Sequence, residues 1–489
     1  MQQSVVARWN VRQHPTTLPA WRWRAKSQKV LVEPMIEKPL KMVQGILGLL
    51  ALVAVLASVL LQGGNTPIAW SLLALVLLSV LFIQMFIGQM TPVPLAVQRL
   101  VFPGLLFLGA LGWAWVQAGT AFDPDYAHPF WSYVPASPPS ISADPGQGRH
   151  ALMRLLCYAS IFLVMVWTCI DAQRAALALK GIAIFSMVIS AYGLFAFATG
   201  YNFFLEDFAT ASLVQSTFVN RNNFATYGIF GVFANLAAVL HASTRQPNTL
   251  KAQLEGFFSG TWIYALGFLV CVGAVSLTQS RAGAIAGLFG LAVFLWAWPK
   301  GKARIWDKVM LALLVAILFF LALTSATGLT ERLIATSAEE ARFVIYPIVV
   351  EAIADRPLLG HGLGAFHDAF RPYVPMDVSG REWVYAHNTY LELIFGLGLP
   401  AATAFFLALI LIFWRIYQGA RKRRTNRVFS CFALACAATA AFHSAFDFSL
   451  QMPAVAGLFA AILGMGFAQS FTFSERKRTD AKEKRARNF

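Results

Sequence analysis

Charged residues are scarce in this sequence. Only 13% of its 489 residues are charged, whereas 58% are hydrophobic; a soluble domain has about 25% charged residues. This scarcity excludes a soluble multidomain enzyme, a disordered protein and a protein that binds nucleic acid, because the surfaces of all three need polar residues. We therefore expect an all-α polytopic membrane protein.

Uncharged stretches locate the membrane spans, since a helix needs about 20 apolar residues to cross the hydrocarbon layer. The stretch 42–98 is long enough for two helices joined by a turn at 62–67. Ten further stretches predict one helix each: 100–122, 155–170, 181–205, 222–244, 256–280, 282–299, 309–330, 393–414, 428–446 and 448–474. The sequence thus predicts twelve transmembrane helices.

These spans divide the chain into three parts. Residues 1–41 form a basic N-terminal arm, residues 42–472 the twelve-span membrane domain, and residues 473–489 a basic tail. The longest loop, 328–388, lies between spans nine and ten. No cleavable signal peptide is expected, because the first apolar stretch starts only near residue 42 and is as long as a span.

Lysine and arginine are distributed unequally between alternate loops. When both termini are placed in the cytoplasm, 30 of the 39 basic residues fall on the cytoplasmic side, as the positive-inside rule requires. The net charge of +16 is then mainly a topology signal and does not indicate a polyanionic partner. The large loop 328–388 faces the outer side.

Lysine is absent from this predicted outer side. Its nine basic residues are all arginine: Arg149, Arg154, Arg221, Arg281, Arg332, Arg342, Arg356, Arg371 and Arg381. Arginine offers a planar fork of donors that suits phosphate and carboxylate groups, and it keeps its proton. The alternative is that these arginines pair with acidic residues of the same loops, such as Asp123 and Glu339.

Cysteine and clustered acids are also scarce. All five cysteines fall within predicted spans, so we expect neither disulfides nor cysteine metal sites. No acidic pair stands out as a site for a divalent metal. We predict a protein without a bound metal or cofactor.

Two outer segments have a recognisable pattern. Segment 120–149 is rich in proline, which predicts a cover without regular helix. In 331–354, apolar residues recur at spacings of three and four, which predicts an amphipathic helix at the membrane surface. Pro357 should end this helix. The glycine turn 360–364 is not a nucleotide fingerprint, because no strand precedes it.

The end of the large loop carries the clearest local signal, His387-Asn388-Thr389 before an apolar stretch. Thr389 with Glu392 fits a capping box, which predicts a helix that starts one residue after Asn388. His387 then lies beside the positive end of this helix, where the neutral, proton-accepting imidazole is favoured. The alternative is an interfacial histidine that only bonds within its loop.

Two further arginines stand at predicted helix entries. Arg281 lies in a minimal turn between two spans, a costly place for a charge without a purpose. Arg221 lies between Asn220 and Asn222, and such a helix start is a ready anion site. Arg342 lies on the predicted surface helix and either contributes to the site or faces solvent.

His443 and Asp447 are spaced i to i+4 at the outer end of the eleventh span. This spacing places them on one face of a helix. We interpret them as a structural hydrogen-bonded pair, with a catalytic relay as the alternative.

In combination, these motifs resemble the bacterial O-antigen ligase and polymerase superfamily. The resemblance runs from about residue 220 to 465 and rests on the order and spacing of its motifs: Asn220-Arg221-Asn222, Ser280-Arg281-Ala282-Gly283, Arg342, the segment 355–364, His387-Asn388-Thr389-Tyr390-Leu391-Glu392 and the segment 443–448. The twelve-span layout and the large loop before the histidine agree with it.

The resemblance implies a metal-independent glycosyltransferase at the periplasmic face of the inner membrane. Its donor would be a glycan on undecaprenyl pyrophosphate, and its acceptor the lipid A core for a ligase or a lipid-linked repeat for a polymerase. His387 would be the base, and Arg221 and Arg281 would hold the pyrophosphate. Arg342, Asn388, Asn220 and Asn222 would help to bind substrate, while His443, Asp447 and Glu392 would support the site.

Two classes of protein remain as alternatives. A flippase or transporter for lipid-linked glycans would also have many spans, but such proteins commonly show repeated halves and charged helices at mid-membrane. We find no obvious repeat. A structural membrane scaffold explains neither the absence of lysine on the outer side nor the unequal loops.

Overall fold

The structure is a computed structural model. It describes residues 20–89, 93–121, 123–134, 137–205, 213–244, 249–298, 337–376, 380, 382–423, 425–472 and 474–475, without the side chains of 20–38 and 337–342. The α-helices in these ranges are α1 Ala20–Ser58, α2 Pro67–Gly88, α3 Leu95–Gln98, α4 Val101–Gln117, α5 Pro145–Thr168, α6 Ala172–Thr199, α7 Arg221–Ser243, α8 Leu250–Gly256, α9 Trp262–Leu277, α10 Arg281–Ala297, α11 Ser337–Asp355, α12 Phe366–Phe370, α13 Thr389–Leu397, α14 Leu399–Lys422, α15 Val428–His443 and α16 Pro453–Ala468.

The described part of the chain is helical, as predicted. Its only β-type pairing is an isolated bridge between Thr120 and Ser140. Seven of the described helical segments are long and apolar enough to cross a membrane, and four more are apolar but shorter. The predicted ninth span, 309–330, lies outside the described residues, so the count of twelve stays a prediction.

The N-terminal helix extends beyond its predicted start. α1 begins at Ala20, inside the predicted arm, and its apolar part begins at Pro39. The other domain boundary, at 472 and 473, stays a prediction.

The predicted tenth span, 393–414, is wrong as a single helix. α13 ends at Leu397 and α14 begins at Leu399, with Gly398 between them at φ +77°. A Cβ at Gly398 would collide with the carbonyl group of Leu358. The backbone of the large loop therefore approaches this point closely, and only glycine fits there.

α11 confirms the described part of the predicted helix 331–354, whose place at the membrane surface stays a prediction. It ends at Asp355, two residues before Pro357. Its buried face consists of Ile345, Val349 and Ala352, spaced by four and three residues. These side chains pack in a second apolar cluster with residues of α12 and α13. Residues 331–336 of the predicted helix lie outside the described residues.

α7 lies at the centre of the bundle, and its apolar window is completely buried. Small residues at the contacts between α7 and its neighbours let the helices approach closely. A Cβ at Gly283 of α10 would lie 3.1 Å from the Cβ of Ala225, and one at Gly287 would lie 3.4 Å from Ile229. The residue numbers of the two contacting pairs increase in the same direction along both helices. α7 and α10 therefore run parallel and begin at the same end.

α15 runs in the opposite direction to α7. His443, its last residue, contacts Thr226 near the start of α7, and Phe429, near its first residue, packs against His241 near the end of α7. The starts of α7 and α10 and the end of α15 therefore meet at one end of the bundle. We call this the site end.

The proline-rich segment packs on the large loop, where Arg356 donates to the carbonyl oxygens of Tyr126 and Ala127. The prediction of no regular helix is wrong for residues 145–149, which belong to α5. The segment contains two 3-10 turns, Pro124–Tyr126 and Pro129–Tyr133, and leads into α5 at Pro145. The fully buried Gln117, the last residue of α4, anchors the large loop to the bundle. Its amide nitrogen donates to the carbonyl oxygens of Leu359 (2.6 Å) and Gly396 (2.8 Å).

Candidate functional site

Two arginines begin parallel helices at the site end. Arg221 is the first residue of α7, and the N-cap Asn220 accepts the N–H of Asn222 at 2.8 Å. Arg281 is the first residue of α10, and the N-cap Ser280 accepts the N–H of Gly283 at 3.2 Å. Each polar N-cap gives its helix a defined start and so fixes the backbone from which the arginine extends.

The first turns of α7 and α10 pack directly against each other, through Ala225 and Gly283. Two helix N-termini, each with a partial positive charge, therefore lie side by side and each carries a guanidinium group. Arg281 is exposed and Arg221 is half-buried. This arrangement suits an anion with two charged groups, such as a pyrophosphate.

A polar network connects the start of α7 to the end of α15. Asn222 Nδ2 donates to Asp447 Oδ2 at 3.0 Å, and Ser449 Oγ donates to Asp447 Oδ1 at 2.7 Å. Ser449 Oγ also lies 3.4 Å from His443 Nδ1, which is 2.8 Å from Thr226 Oγ1. His443 and Asp447 are both buried, with 1% of their surface exposed. The network therefore fixes the geometry of the buried side of the site.

The i to i+4 interpretation of His443 and Asp447 needs a correction. α15 ends at His443, so the helix does not carry Asp447 back to the same face. Ser449 instead bonds to Asp447 and lies next to the imidazole of His443. The predicted structural role fits these bonds, although the connection runs through a serine that the sequence pattern did not single out.

His387 lies at the entrance of α13, beside this network. Its backbone has φ +54°, which costs an L-residue about 1–3 kcal/mol and persists only where the surrounding structure holds it. Tyr346 Oη of α11 donates to the His387 carbonyl oxygen at 3.0 Å. The imidazole ring packs edge-on against Phe448 (4.9 Å between centroids) and Trp383 (6.1 Å). Two aromatic rings thus contact the imidazole, while Tyr346 holds the backbone of the same residue.

The predicted capping box at Thr389 is wrong, although the helix starts where it was predicted. Asn388 is the N-cap, and its side-chain oxygen accepts the N–H groups of Tyr390 and Leu391 at 3.1 Å each. Thr389 Oγ1 donates to the Asp447 carbonyl oxygen at 3.0 Å. Asparagine competes well for an N-cap, and Thr389 ties α13 to the end of α15.

Glu392 holds the backbone next to His387 through a hydrogen bond. Its Oε2 accepts the N–H of Ala386 at 2.9 Å. Loss of solvation raises the pKa of Glu392 to about 7, against the opposing effects of the Ala386 N–H, Gln451 and Arg154. The carboxyl group thus holds the backbone next to His387.

The structure brings most predicted site residues to one place. His387, Asn388, Asn222, His443 and Asp447 are connected by the contacts above. Arg221 and Arg281 begin the adjoining helices. The side chain of Arg342 lies outside the described part of the molecule. Asn220, Asn222 and Asn388 each use part of their side chain within the protein, two of them as N-caps.

Three site residues were not predicted from the sequence: Tyr346, Thr226 and Ser449. Thr226 follows Asn222 by four residues, a spacing that places both on one helical face. Tyr346 and Ser449 have no comparable local signal. Their role depends on contacts between segments far apart in the chain, 41 residues apart for Tyr346 and His387.

The described ranges contain no candidate metal site. No group of three histidine, cysteine or acidic side chains there is arranged to hold an ion. Metal independence stays a prediction, because other parts of the chain are not covered by this search.

The described helices define a polytopic α-helical membrane protein with a polar site at one end of the bundle. Residues 266–406 match the family model described as O-antigen ligase, which confirms the resemblance to the O-antigen ligase and polymerase superfamily. In general terms the match supports a membrane glycosyltransferase of ligase or polymerase type. Neither the curated proteins nor the solved structures compared with the chain give a match.

Proposed function

We propose that the protein transfers a glycan from undecaprenyl pyrophosphate to a hydroxyl group of the lipid A core, at the periplasmic face of the bacterial inner membrane. One observation carries this proposal: two arginine-bearing helix N-termini and a fixed histidine meet at one end of the bundle. The transfer needs a cationic site for pyrophosphate and a base for the acceptor, and these groups supply both.

The arginines and helix ends act on the leaving group. A pyrophosphate ester is already activated, so the protein only has to stabilise the negative charge that develops as the bond breaks. Arg221 and Arg281 extend from adjacent first turns. Arg342 is a further candidate for this role from the large loop.

His387 acts on the acceptor. Its imidazole accepts the proton of the acceptor hydroxyl while that oxygen forms a bond to the anomeric carbon of the donor sugar. The bond between the anomeric carbon and the phosphate oxygen breaks, and the electron pair stays on the pyrophosphate. The lipid keeps the pyrophosphate, and no redox partner is needed.

Charge asymmetry supports the proposed orientation. The large loop lies at the site end with the entrance of α13, and the strongly basic segment 421–427 follows the opposite end of α14. By the positive-inside rule, this distribution supports the proposal that the termini lie in the cytoplasm and the site in the periplasm.

A lipid-linked repeat is the alternative acceptor, which would make the protein a polymerase. The family match covers both types, and both reactions need the same two groups. The identity of the acceptor therefore decides whether the protein is a ligase or a polymerase.

The direct test is transfer by purified protein in detergent with lipid-linked donor and, in separate reactions, lipid A core or a second lipid-linked repeat. Elongated lipid A core supports the ligase, and a donor-length ladder supports the polymerase. No product with either acceptor contradicts the proposal.

Arg281→Lys tests the role of the guanidinium group. Lysine keeps the charge but loses the two-pronged geometry, and a lost charge-assisted bond of about 1.5–3 kcal/mol lowers the rate about 10- to 150-fold. Arg149→Lys, at an exposed position of α5, is the matched control and should keep full activity. Full transfer by Arg281→Lys would mean that Arg281 only anchors its helix at the interface.

A further inference from the structure

A cavity of about 320 Å³ opens in the large loop next to His387. Its apolar walls include Val374, which is half-buried, and Trp383, which is 7% exposed. Ligand sites range over about 300–1,000 Å³, so this one has room for a small group only.

The rim of the cavity is polar and carries both charges. His367 Nε2 lies 2.8 Å from Glu382 Oε1, and Arg371 Nη2 lies 3.5 Å from the same oxygen. Arg371 and Glu382 are largely exposed, with 62% and 67% of their side chains accessible. The rim thus offers donors and acceptors that remain open to solvent.

This combination suits a sugar ring. A pyranose presents hydroxyl groups at its edge and C–H groups on its faces, so it needs paired hydrogen-bonding groups beside an apolar wall. A purely apolar ligand would cover the exposed Arg371 and Glu382 from water without offering them hydrogen bonds, and a strongly anionic one would be repelled by Glu382. A neutral ligand with several hydroxyl groups can bond to the rim and is not repelled by Glu382.

A series of contacts joins the cavity to the start of α7 through His387. Trp383 borders the cavity and packs edge-on against the imidazole. The imidazole also packs against Phe448. Phe448 follows Asp447, which bonds to Asn222 beside Arg221. In this order of contacts the histidine comes between the cavity and the start of α7, where the proposed pyrophosphate site begins.

We propose that this cavity is a saccharide-binding subsite that holds one or two sugar rings of a glycan whose reacting end reaches His387. This inference rests on the proposed function and specifies where that site recognises its substrate. The order of contacts favours the acceptor glycan, since the donor is held from the arginine side. A donor glycan has the same chemistry, and the test distinguishes the two.

The rim variants Arg371→Gln and Glu382→Gln test the subsite. Both side chains are exposed, so the variants should fold, and thermal melting in detergent checks this. The matched control is Glu351→Gln, at an exposed position of α11 in the same loop. In the transfer assay we expect each rim variant to raise the KM for one glycan at least tenfold and to change kcat at saturation less than twofold.

The substrate whose KM rises identifies the occupant. A higher KM for lipid A core assigns the subsite to the acceptor, and a higher KM for the lipid-linked donor assigns it to the donor. Unchanged KM values for both substrates in both variants overturn the proposal.

A binding experiment separates this proposal from the proposed function. The probes are the soluble oligosaccharides released from the lipid-linked donor and from the lipid A core, titrated into wild-type protein in detergent. Binding that both rim variants weaken at least tenfold supports the subsite even if the wild type transfers nothing. Equal binding by all variants, or no binding by the wild type at millimolar probe, overturns it.

Discussion

A buried pair of histidines fastens the proline-rich cover to the large loop. His361 Nε2 lies 2.7 Å from the Ala352 carbonyl oxygen and so donates to it. His361 Nδ1 then accepts from His128 Nε2 at 3.0 Å, and His128 Nδ1 accepts the N–H of Phe130 at 3.3 Å. Every ring nitrogen is satisfied when both histidines are neutral, and neither has room for a second proton.

Acid should open this contact. Burial, with smaller effects of His361 and Arg356, lowers the pKa of His128 to about 3, and burial lowers the pKa of His361. Both pKa values are lower in the folded protein than the usual 6.5, so the unfolded chain binds more protons. Stability is fully present above pH 6.5 and is lost as the pH falls from there towards 3.

The expected size follows from these pKa directions. Each pH unit below 6.5 costs about 1.4 kcal/mol for each histidine that stays neutral. At pH 5 His128 therefore destabilises the closed contact by about 2 kcal/mol, which corresponds to roughly a 30-fold increase in opening, and His361 acts in the same direction.

Hydrogen exchange measures this opening locally. The N–H of Ala143 donates to the His361 carbonyl oxygen at 2.9 Å and reports on the contact. After correction for intrinsic rates, its protection should fall between pH 7.5 and pH 5.0. His128→Gln keeps a donor and an acceptor but does not titrate, so it should reduce the pH dependence by about 30-fold. Equal protection of the wild type at both pH values would refute the reasoning.

Two further predictions concern topology and the polar network. Met376→Cys, at a residue 93% exposed in the large loop, should react with an impermeant thiol reagent in intact spheroplasts, whereas Arg421→Cys should react only after permeabilisation; the reverse pattern would contradict the proposed orientation. Asp447→Asn leaves one acceptor oxygen for the two donors Asn222 Nδ2 and Ser449 Oγ and removes the charge that strengthens both bonds, so it should cost about 1–3 kcal/mol of stability, and adding Asn222→Asp, which restores a carboxylate opposite the new amide, should recover most of the loss in melting temperature. A double variant no more stable than Asp447→Asn would show that the 3.0 Å bond is not important.

Local patterns predicted the helices and the starts of those that bear the site. Helices that cross a membrane lack charges because the interior of the bilayer is apolar. The uncharged stretches therefore predicted α7 and α10 where the structure has them. The starts of α7, α10 and α13 follow from short polar residues before apolar ones. Even at α13 the cap is Asn388 and not Thr389, because two adjacent residues could both act as caps.

Contacts between distant segments had no local signal. The interruption at Gly398 depends on the close approach of Leu358, and the bond between Asn222 and Asp447 joins residues 225 positions apart. His128 and His361 are 233 positions apart. Such pairs become visible only when the bundle has placed their helices side by side.

The central claim is that His387 removes the acceptor proton while the arginines hold the pyrophosphate. The direct measurement compares His387→Ala and His387→Gln with the wild type, for the transfer rate and for the affinity towards undecaprenyl pyrophosphate. General-base help is worth about 10²- to 10⁴-fold, so both variants should lose at least 100-fold in rate with unchanged affinity. If glutamine, which cannot take up the proton, keeps most of the rate, His387 only orients the acceptor and the claim is contradicted.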